Sequence, residues 1–548
     1  MRLRAQNRAN LERRGVVLLA VLVVLVLLSL AAWQYSDLMV AETQASDNYH
    51  KSARVKAIAD SGVHYAAALL SNPDNLQNVL GGNPFDNQGA FSHIPVPGDD
   101  GKPMGFFTLV APANDIDENN SAAYRNGVMD ETAKINPNAI MRKDPTGQTL
   151  FQMLQKLPNM TDDVAAAIVD WIDNDKEPFN NGLGAEDDYY GGLNPPYRAK
   201  NAALDSIEEM LLIKGVTEQL LFGDDLNHNG VQDANEPATG SDGRFDRGWS
   251  AYLTIHSREQ AINSQGQPLV YINDDDLEKV YEQVGGYTDS DDLAKYVLIY
   301  RQYGPSSTTG QKQSLGRSIV SLVLPSATKT TGSTSGSSAS SQTVNGALSD
   351  LQIDIAKPGT TTIKSLFELI NTQVTIPSKG KDQPAVIYTC PLNDPGAQQT
   401  LLPLLFEAAT VFEETEIPGR INVTTASRAV LSSLPELQDG DVQKILDNRP
   451  SFTGGGAAGA DAQNIAWLLT KAGISAQTLI QLEKLLTARS QVYRVQVLAY
   501  LADKDGNPDT KGIAARVEAV IDTNAGRPRI LAWRDLSDLG RTIQSVSP

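Results

Sequence analysis

Between Val16 and Trp33 the chain reads VVLLAVLVVLVLLSLAAW, with Ser29 its one polar side chain. An apolar run of this length fits a helix crossing a bilayer, which needs ~20 residues. From residue 34 the pattern changes. Ala41, Ala45, Ala53, Val55, Ile58, Ala59, Val63, Ala66, Leu69 and Leu70 recur at roughly helical spacing, and Gly62 is the lone Gly or Pro before Pro73. Together these stretches predict one helix from Val16 to about Leu70, ~80 Å long at 1.5 Å per residue. Its first half is apolar all round and its second half amphipathic.

Alternating strand-like runs come next: GFFTLVAP (105–112), RNGVMDE (125–131), AYLTIHS (251–257), QVYRVQVLAYLA (491–502), AARVEAVIDT (514–523) and RILAWRD (529–535). The linkers DKDGNPD and NAGRP are turn-forming, so the last three predict an antiparallel meander. Between the early and late strands lies a helical block with an internal repeat. Residues 133–176 and 419–450 each hold an I-N-x-x segment, a Leu-Pro turn, an acidic helix start and an apolar helix. Residues 269–305 carry a weaker third copy. Downstream of the first two copies, EEMLLIKGVTEQLLF and IAWLLTKAGISAQTLIQLEKLL also correspond. This rhythm predicts helix-hairpin-helix-like modules. Residues 326–349, rich in Ser, Thr and Gly, read as a disordered loop.

Charge narrows the function classes. Of 548 residues, 46 are basic and 65 acidic, a formal charge of −19. Carboxylates in both Leu-Pro turns, 157–163 and 434–441, sit where a phosphate would approach a DNA-binding hairpin, so the modules read as scaffold and no nucleic-acid partner is expected. One cysteine, Cys390, excludes an internal disulfide and a cysteine zinc cluster. No Walker A loop or G-x-S-x-G elbow is present, GSTSG (332–336) being only an approximation, and no enzyme activity is expected.

The N-terminus runs against the overall charge: five arginines and Glu12 give residues 1–15 a net +4. Basic residues before the apolar run and none close after it predict a cytoplasmic N-terminus and an exported remainder. Three readings fit: a secretory signal cut near Ser29-Leu30-Ala31, an uncleaved anchor, or a prepilin-type signal cut between Gly15 and Val16 after Arg13-Arg14.

The sharpest chemical pattern is DLNHNGVQDANE (225–236), which matches D-x-[DN]-x-[DN]-G-x5-E at every specified position. Asp225, Asn227, Asn229, Asp233 and Glu236 would offer side-chain oxygens and Val231 its carbonyl to a calcium ion, with Gly230 permitting the sharp turn. Gln232 and Pro237 depart from a paired EF-hand, so an isolated structural calcium loop is expected.

Several segments resemble, in order, the protein K family of the general secretion pathway, the large minor pseudopilins of type II secretion. They are RRGVVLLAVLVVLVLLSL with ARVKAIADSGVHYAAALL, then MDETAKINPN (129–138), DWIDND (170–175), AEDDYY (185–190), PPYRAKNAALDSIEEMLLIKGVT (195–217) and GRINVTTA (419–426). The resemblance implies an α+β, type IV pilin-like fold: a long N-terminal helix and an antiparallel sheet, with a large helical domain inserted. The expected parts are a leader (1–15), an assembly helix (16–70), pilin-like strands (71–132), the insertion (133–488) and C-terminal strands (489–548). It also implies cleavage after Gly15 by prepilin peptidase, methylation of Val16, and a single-pass inner-membrane protein with a periplasmic body. Implied partners are pseudopilins I and J, the major pseudopilin and the inner-membrane secretion platform. The family's departure from a fifth-position glutamate is matched by Ala20. Calcium in the helical domain is implied as well, for which Asp170, Asp173, Asp175, Glu186, Asp187 and Asp188 form a second candidate cluster. The expected role is tip subunit of the pseudopilus; the alternative is an uncleaved, membrane-anchored periplasmic binding or scaffold protein.

Overall fold

The computed structural model describes residues 2–98, 101–113, 122–240, 245–306, 343–378, 384–452 and 463–539. One helix runs unbroken from Arg2 to Ser71. Asn72 and Pro73 end it: the Asn72 side chain accepts from the Asp74 amide at 2.8 Å, and Pro73 opens a new short helix. The two halves of the long helix have different fates. Residues 17–51 are all exposed, whereas Val55, Ile58, Ala59, Val63, Ala66 and Leu70 are buried on one stripe.

That stripe lies on an antiparallel sheet ordered Ile94–Pro97, Pro103–Pro112, Val492–Leu501, Ala514–Asp522, Arg529–Asp535. The third strand brings residues from the far end of the chain beside the second, with Val497 opposite Leu109 and Gln496 opposite Val110. Phe107, Leu109, Val495, Val497, Val517 and Ile521 form one core with the helix. Gly62 sets the helix–sheet distance: a Cβ there would lie 2.6 Å from Val497 Cγ1 and 3.0 Å from the Phe107 ring. This is the pilin-like α+β arrangement, a long helix on an antiparallel sheet interrupted by a helical insertion.

The run RNGVMDE yields two two-residue strands, Tyr124–Arg125 and Met129–Asp130, and between them the Phe85 carbonyl approaches so closely that only Gly127 fits. The strand expected at 251–257 does not form. Residues 249–251 are a 3-10 turn, and Leu253 makes only an isolated parallel bridge to Ile135. The reason is a longer repeat than the sequence pattern revealed. Leu253-Thr254-Ile255-His256-Ser257 is the counterpart of Leu486-Thr487-Ala488-Arg489-Ser490, and each closes one copy. The Ile135 amide donates to Tyr252 O at 2.8 Å; the Ile421 amide donates to Leu485 O at 2.7 Å. Asn136 and Asn422 each reach the closing serine, at 3.2 and 2.8 Å to Oγ.

Both Leu-Pro turns bend in the same way. Asn159 and Glu436, each directly after the proline, have φ of 58° and 63°. Helices Asp162–Ile172 and Asp439–Asn448 come next. In the second hairpin of each copy Gly215 and Gly473 (φ 80° and 66°) precede the N-caps Thr217 and Ser475 by two residues. The expected third copy forms a helix pair, Leu277–Thr288 and Asp291–Tyr303, without a Leu-Pro turn. Of the segment expected to be disordered, 326–342 lies outside the described residues; Thr343–Asn345 is a strand paired in parallel with 385–387, and 348–350 a short 3-10 turn.

Buried charge joins insertion to sheet. Arg494, on the sheet face away from the long helix, donates to Glu131 at 2.7 and 3.0 Å and to Glu518 at 2.5 Å. Asp130 accepts from Thr132 N (2.8 Å), Asn422 Nδ2 (2.9 Å) and Ser490 Oγ (2.5 Å), tying a sheet strand to the second repeat copy.

Candidate metal centres

The two candidate loops share an origin. Measured against the common repeat frame, the first copy carries extra segments at two places: between helix Asp162–Ile172 and the second hairpin, and between helix Glu218–Phe222 and the closing segment. In the second copy helix Ala476–Leu482 leads almost directly to Leu486. The acidic cluster occupies the first extra segment and the DLNHNGVQDANE loop the second.

In the acidic cluster, carboxylate oxygens of Asp173, Asp175 and Glu186 come within 4.8 Å of one another. Helix Asp162–Ile172 delivers the first two at its C-terminal end, and the loop returns Glu186 to them. Asp170 holds the loop shut instead of joining the group: it accepts from the Phe179 amide at 2.8 Å and the Ala185 amide at 2.5 Å. Gly184 is required there, since a Cβ would collide with the Asp170 carboxylate. Asp187 accepts from Ala199 N at 3.1 Å, and Asp188 is exposed; neither belongs to the gathered set.

Sequence reasoning missed Asn201. Held at φ 47°, it donates its amide to Asp175 O and, at 3.3 Å, to Glu186 Oε2. Its Oδ1, together with Asp173 Oδ1 and Glu186 Oε1, is buried without a hydrogen-bond donor among the described residues. The unpaired oxygens of Asp173 and Glu186, in a cluster whose carboxylates gather within 4.8 Å, carry a desolvation cost that a hard cation would remove. The electrostatics agree. Burial, then the charges of Asp175, Asp170 and Glu186, push the Asp173 carboxyl up to about 7. Burial also raises Glu186 to about 7 and Asp170 to about 6. An all-oxygen set of carboxylates and one amide suits calcium.

The second loop is already coiled. Asp225 accepts from the Asn229 amide at 2.9 Å and the Gly230 amide at 2.7 Å, and Gly230 has φ of 76°. Glu236 folds back on the amides of Leu226 (3.0 Å) and Asp233 (2.9 Å). Asn227 and Asn229 both aim their amide groups at Asp233 Oδ2, at 2.6 and 2.8 Å. Rotating those amides would present oxygen to the same point. Asn229 and Glu236 are buried, Asp225, Asn227, Val231 and Asp233 half-buried or partly exposed, and Leu226, Gln232, Ala234 and Asn235 lie toward the outside. The oxygen donors thus lie inward, and the set fits calcium in kind and number. Asp224 pins the loop's entrance to its exit, accepting from the Thr239 and Asp246 amides at 2.7 and 3.1 Å. Gly15 and Val16 lie in the leading turns of the long helix.

A family profile described as type II secretion system (T2SS), protein K, matches residues 126–222. Two proteins named type II secretion system protein K are similar over the same order of length. That of Pectobacterium carotovorum subsp. carotovorum is 39% identical over 82 residues, 14% of this chain and 24% of the relative. That of Aeromonas hydrophila is 36% identical over 84 residues, 15% and 25% respectively. The matched stretch thus spans about a quarter of either relative's length. A solved structure, the GspK-GspI-GspJ complex of the enterotoxigenic Escherichia coli type 2 secretion system, aligns over 90% of this chain and 99% of that one, with 13% identity and a TM-score of 0.37. Residues 126–222, the stretch similar to protein K of the type II secretion system, include Asp173, Asp175, Glu186 and Asn201.

Proposed function

We propose that this chain is a membrane-inserted minor pseudopilin seated at the tip of a type II secretion pseudopilus, where it starts or caps the filament. The observation that carries the reading is the divided long helix. Its second half is consumed by the sheet, while residues 17–51 are exposed and apolar enough over one stretch to cross a membrane. A helix of that kind needs lipid or sister helices around it. Ala20, at the fifth position after Gly15, lacks the carboxylate with which an ordinary subunit would hold a neighbour's N-terminal amine. A chain that offers its own amine but no such acid suits the end of a filament. The bulky insertion, fixed to the sheet by hydrogen bonds from Asn422 to Asp130 and from Thr254 to Glu131, the partner of Arg494, would obstruct a further subunit there.

In this reading prepilin peptidase cuts after Gly15 and Val16 becomes a methylated N-terminus on the inner-membrane platform. The body is periplasmic, and the partners are pseudopilins I and J and the major pseudopilin. Calcium is structural at both centres, held by Asp173, Asp175, Glu186 and Asn201 in one and by the residues of 225–236 in the other. It neutralises gathered carboxylates and closes loops that have no disulfide to hold them. N-terminal mass spectrometry of the protein purified from cells with active peptidase tests the core claim. A methylated Val16 is expected. An intact Met1 leader would refute it and favour an uncleaved, anchored scaffold protein.

A further inference from the structure

The 225–236 loop is joined to the pilin-like sheet as well as to its own domain. Arg516 and Gln496 stand on the sheet face away from the long helix, in adjacent strands, and both are buried. Arg516 donates from Nη1 to Asn227 O at 2.8 Å and from Nη2 to His228 O at 2.6 Å. Gln496 Nε2 donates to the same His228 carbonyl at 3.0 Å and to Glu518 Oε2 at 3.1 Å. His228, at φ 58°, turns that carbonyl out of the loop. On the loop's other flank, a Cβ at Gly230 would lie 2.5 Å from Pro112 Cγ, at the end of a third sheet strand. The loop therefore reaches from the insertion to strands that it does not belong to.

Asn227 has two roles in this arrangement. Its side chain faces the inward oxygen set, and its carbonyl faces Arg516. Burial lowers the Arg516 pKa, the charges of Glu518, Asp225 and Asp233 opposing the effect. Its Nε has no partner among the described residues. A guanidinium withdrawn from water depends on the acceptors it has. If the loop opens, two of them leave together.

We infer that the 225–236 loop is a calcium-dependent clamp: ion binding holds the carbonyls of Asn227 and His228 against Arg516 and Gln496 and so fixes the inserted domain on the sheet. The inference rests on the calcium reading of this loop and adds what the ion controls. Without the ion, Asp225, Asp233 and Glu236 repel one another, the two carbonyls withdraw, and the insertion gains freedom relative to the filament axis. Coupling of this kind is reciprocal, so weakening the sheet side weakens ion binding.

The test uses the full chain in detergent with Asp173→Asn and Glu186→Gln, leaving this loop as the calcium-binding centre under study. Calcium is titrated calorimetrically. Spin labels at Asp439→Cys in the insertion and Arg527→Cys in the turn joining the last two sheet strands report the distance between them. The expected result is a distance distribution that narrows with calcium and broadens with chelator. Arg516→Gln should weaken calcium binding about tenfold, as loss of charged hydrogen bonds does. Gln496→Leu, which keeps the guanidinium, should weaken it to a smaller degree and serves if the arginine variant does not fold. Calcium binding unchanged in both variants, or a distribution indifferent to calcium, overturns the clamp while leaving the calcium loop intact. Absence of any calcium binding in the starting chain overturns both.

Discussion

Replacing Asp173 with asparagine is expected to have opposite effects with and without calcium. In the folded protein the carboxyl is held at about 7, against an ordinary value of about 3.9. Above pH 7 folding therefore confines a charge that the unfolded chain leaves in water. At about 1.4 kcal/mol per pH unit the difference is roughly 4 kcal/mol. Asp173 is only half-buried, and screening by water reduces this to about 1–2 kcal/mol. The pKa is raised on folding, so stability linked to this group is full below about pH 4 and lost as pH rises through about 7. Asp173→Asn should accordingly raise the melting temperature of the chelated protein at pH 8 by about 1–3 °C. The gain should shrink as pH falls toward 4. In saturating calcium the proposed centre would use the carboxylate as a ligand, and the same substitution should lower the melting temperature. Thermal unfolding of the full chain in detergent, at pH 8 with chelator and then with calcium, measures both arms. A decrease of similar size in both conditions would show that protein contacts, not an ion, hold Asp173, and would refute the reasoning.

Other consequences can be measured on the same material. Gly62→Val should destabilise the helix–sheet core by about 1–3 kcal/mol, because Val497 and Phe107 leave no room for a Cβ; unchanged denaturant unfolding would contradict the close approach. Arg494→Met should cost about 3–5 kcal/mol by leaving Glu131 buried without its guanidinium, and calorimetry would register it. Burial pushes Glu483 up to about 7, so its contribution is lost as pH rises from about 4.5 through 7. Glu483→Gln keeps an acceptor for Ser365 and the Leu366 amide and should flatten stability between pH 5 and pH 8, as seen by thermal melts at the two values.

Features of this chain differ in the kind of pattern they leave in the sequence. The long helix is legible because its apolar run and its Val55–Leu70 stripe are local periodicities. The meander of the last three strands is legible because Asp, Gly, Asn and Pro punctuate it. Both Leu-Pro turns can be placed, since proline followed by a left-handed residue is set within three positions. The closing segment 253–257 reads wrongly as part of a strand because its apolar–polar alternation is real. Its partner, however, is Ile135, more than a hundred residues earlier, and the two meet in a single parallel bridge.

At the candidate centres the division is similar. Sequence alone determined the oxygen-rich loop at 225–236, whose ligand spacing is written in consecutive residues, and the two-part N-terminal helix. Tertiary structure alone decided which acids of the other cluster converge: Asp173, Asp175 and Glu186 meet, Asp170 accepts from backbone amides, and Asn201 joins them through its side-chain amide, which no spacing rule points to. It alone decided that Arg516 and Gln496, nearly three hundred residues downstream, grip the 225–236 loop. The physical reason is that local conformation is set by neighbouring side chains, whereas burial and charge pairing depend on which distant segments the core brings together.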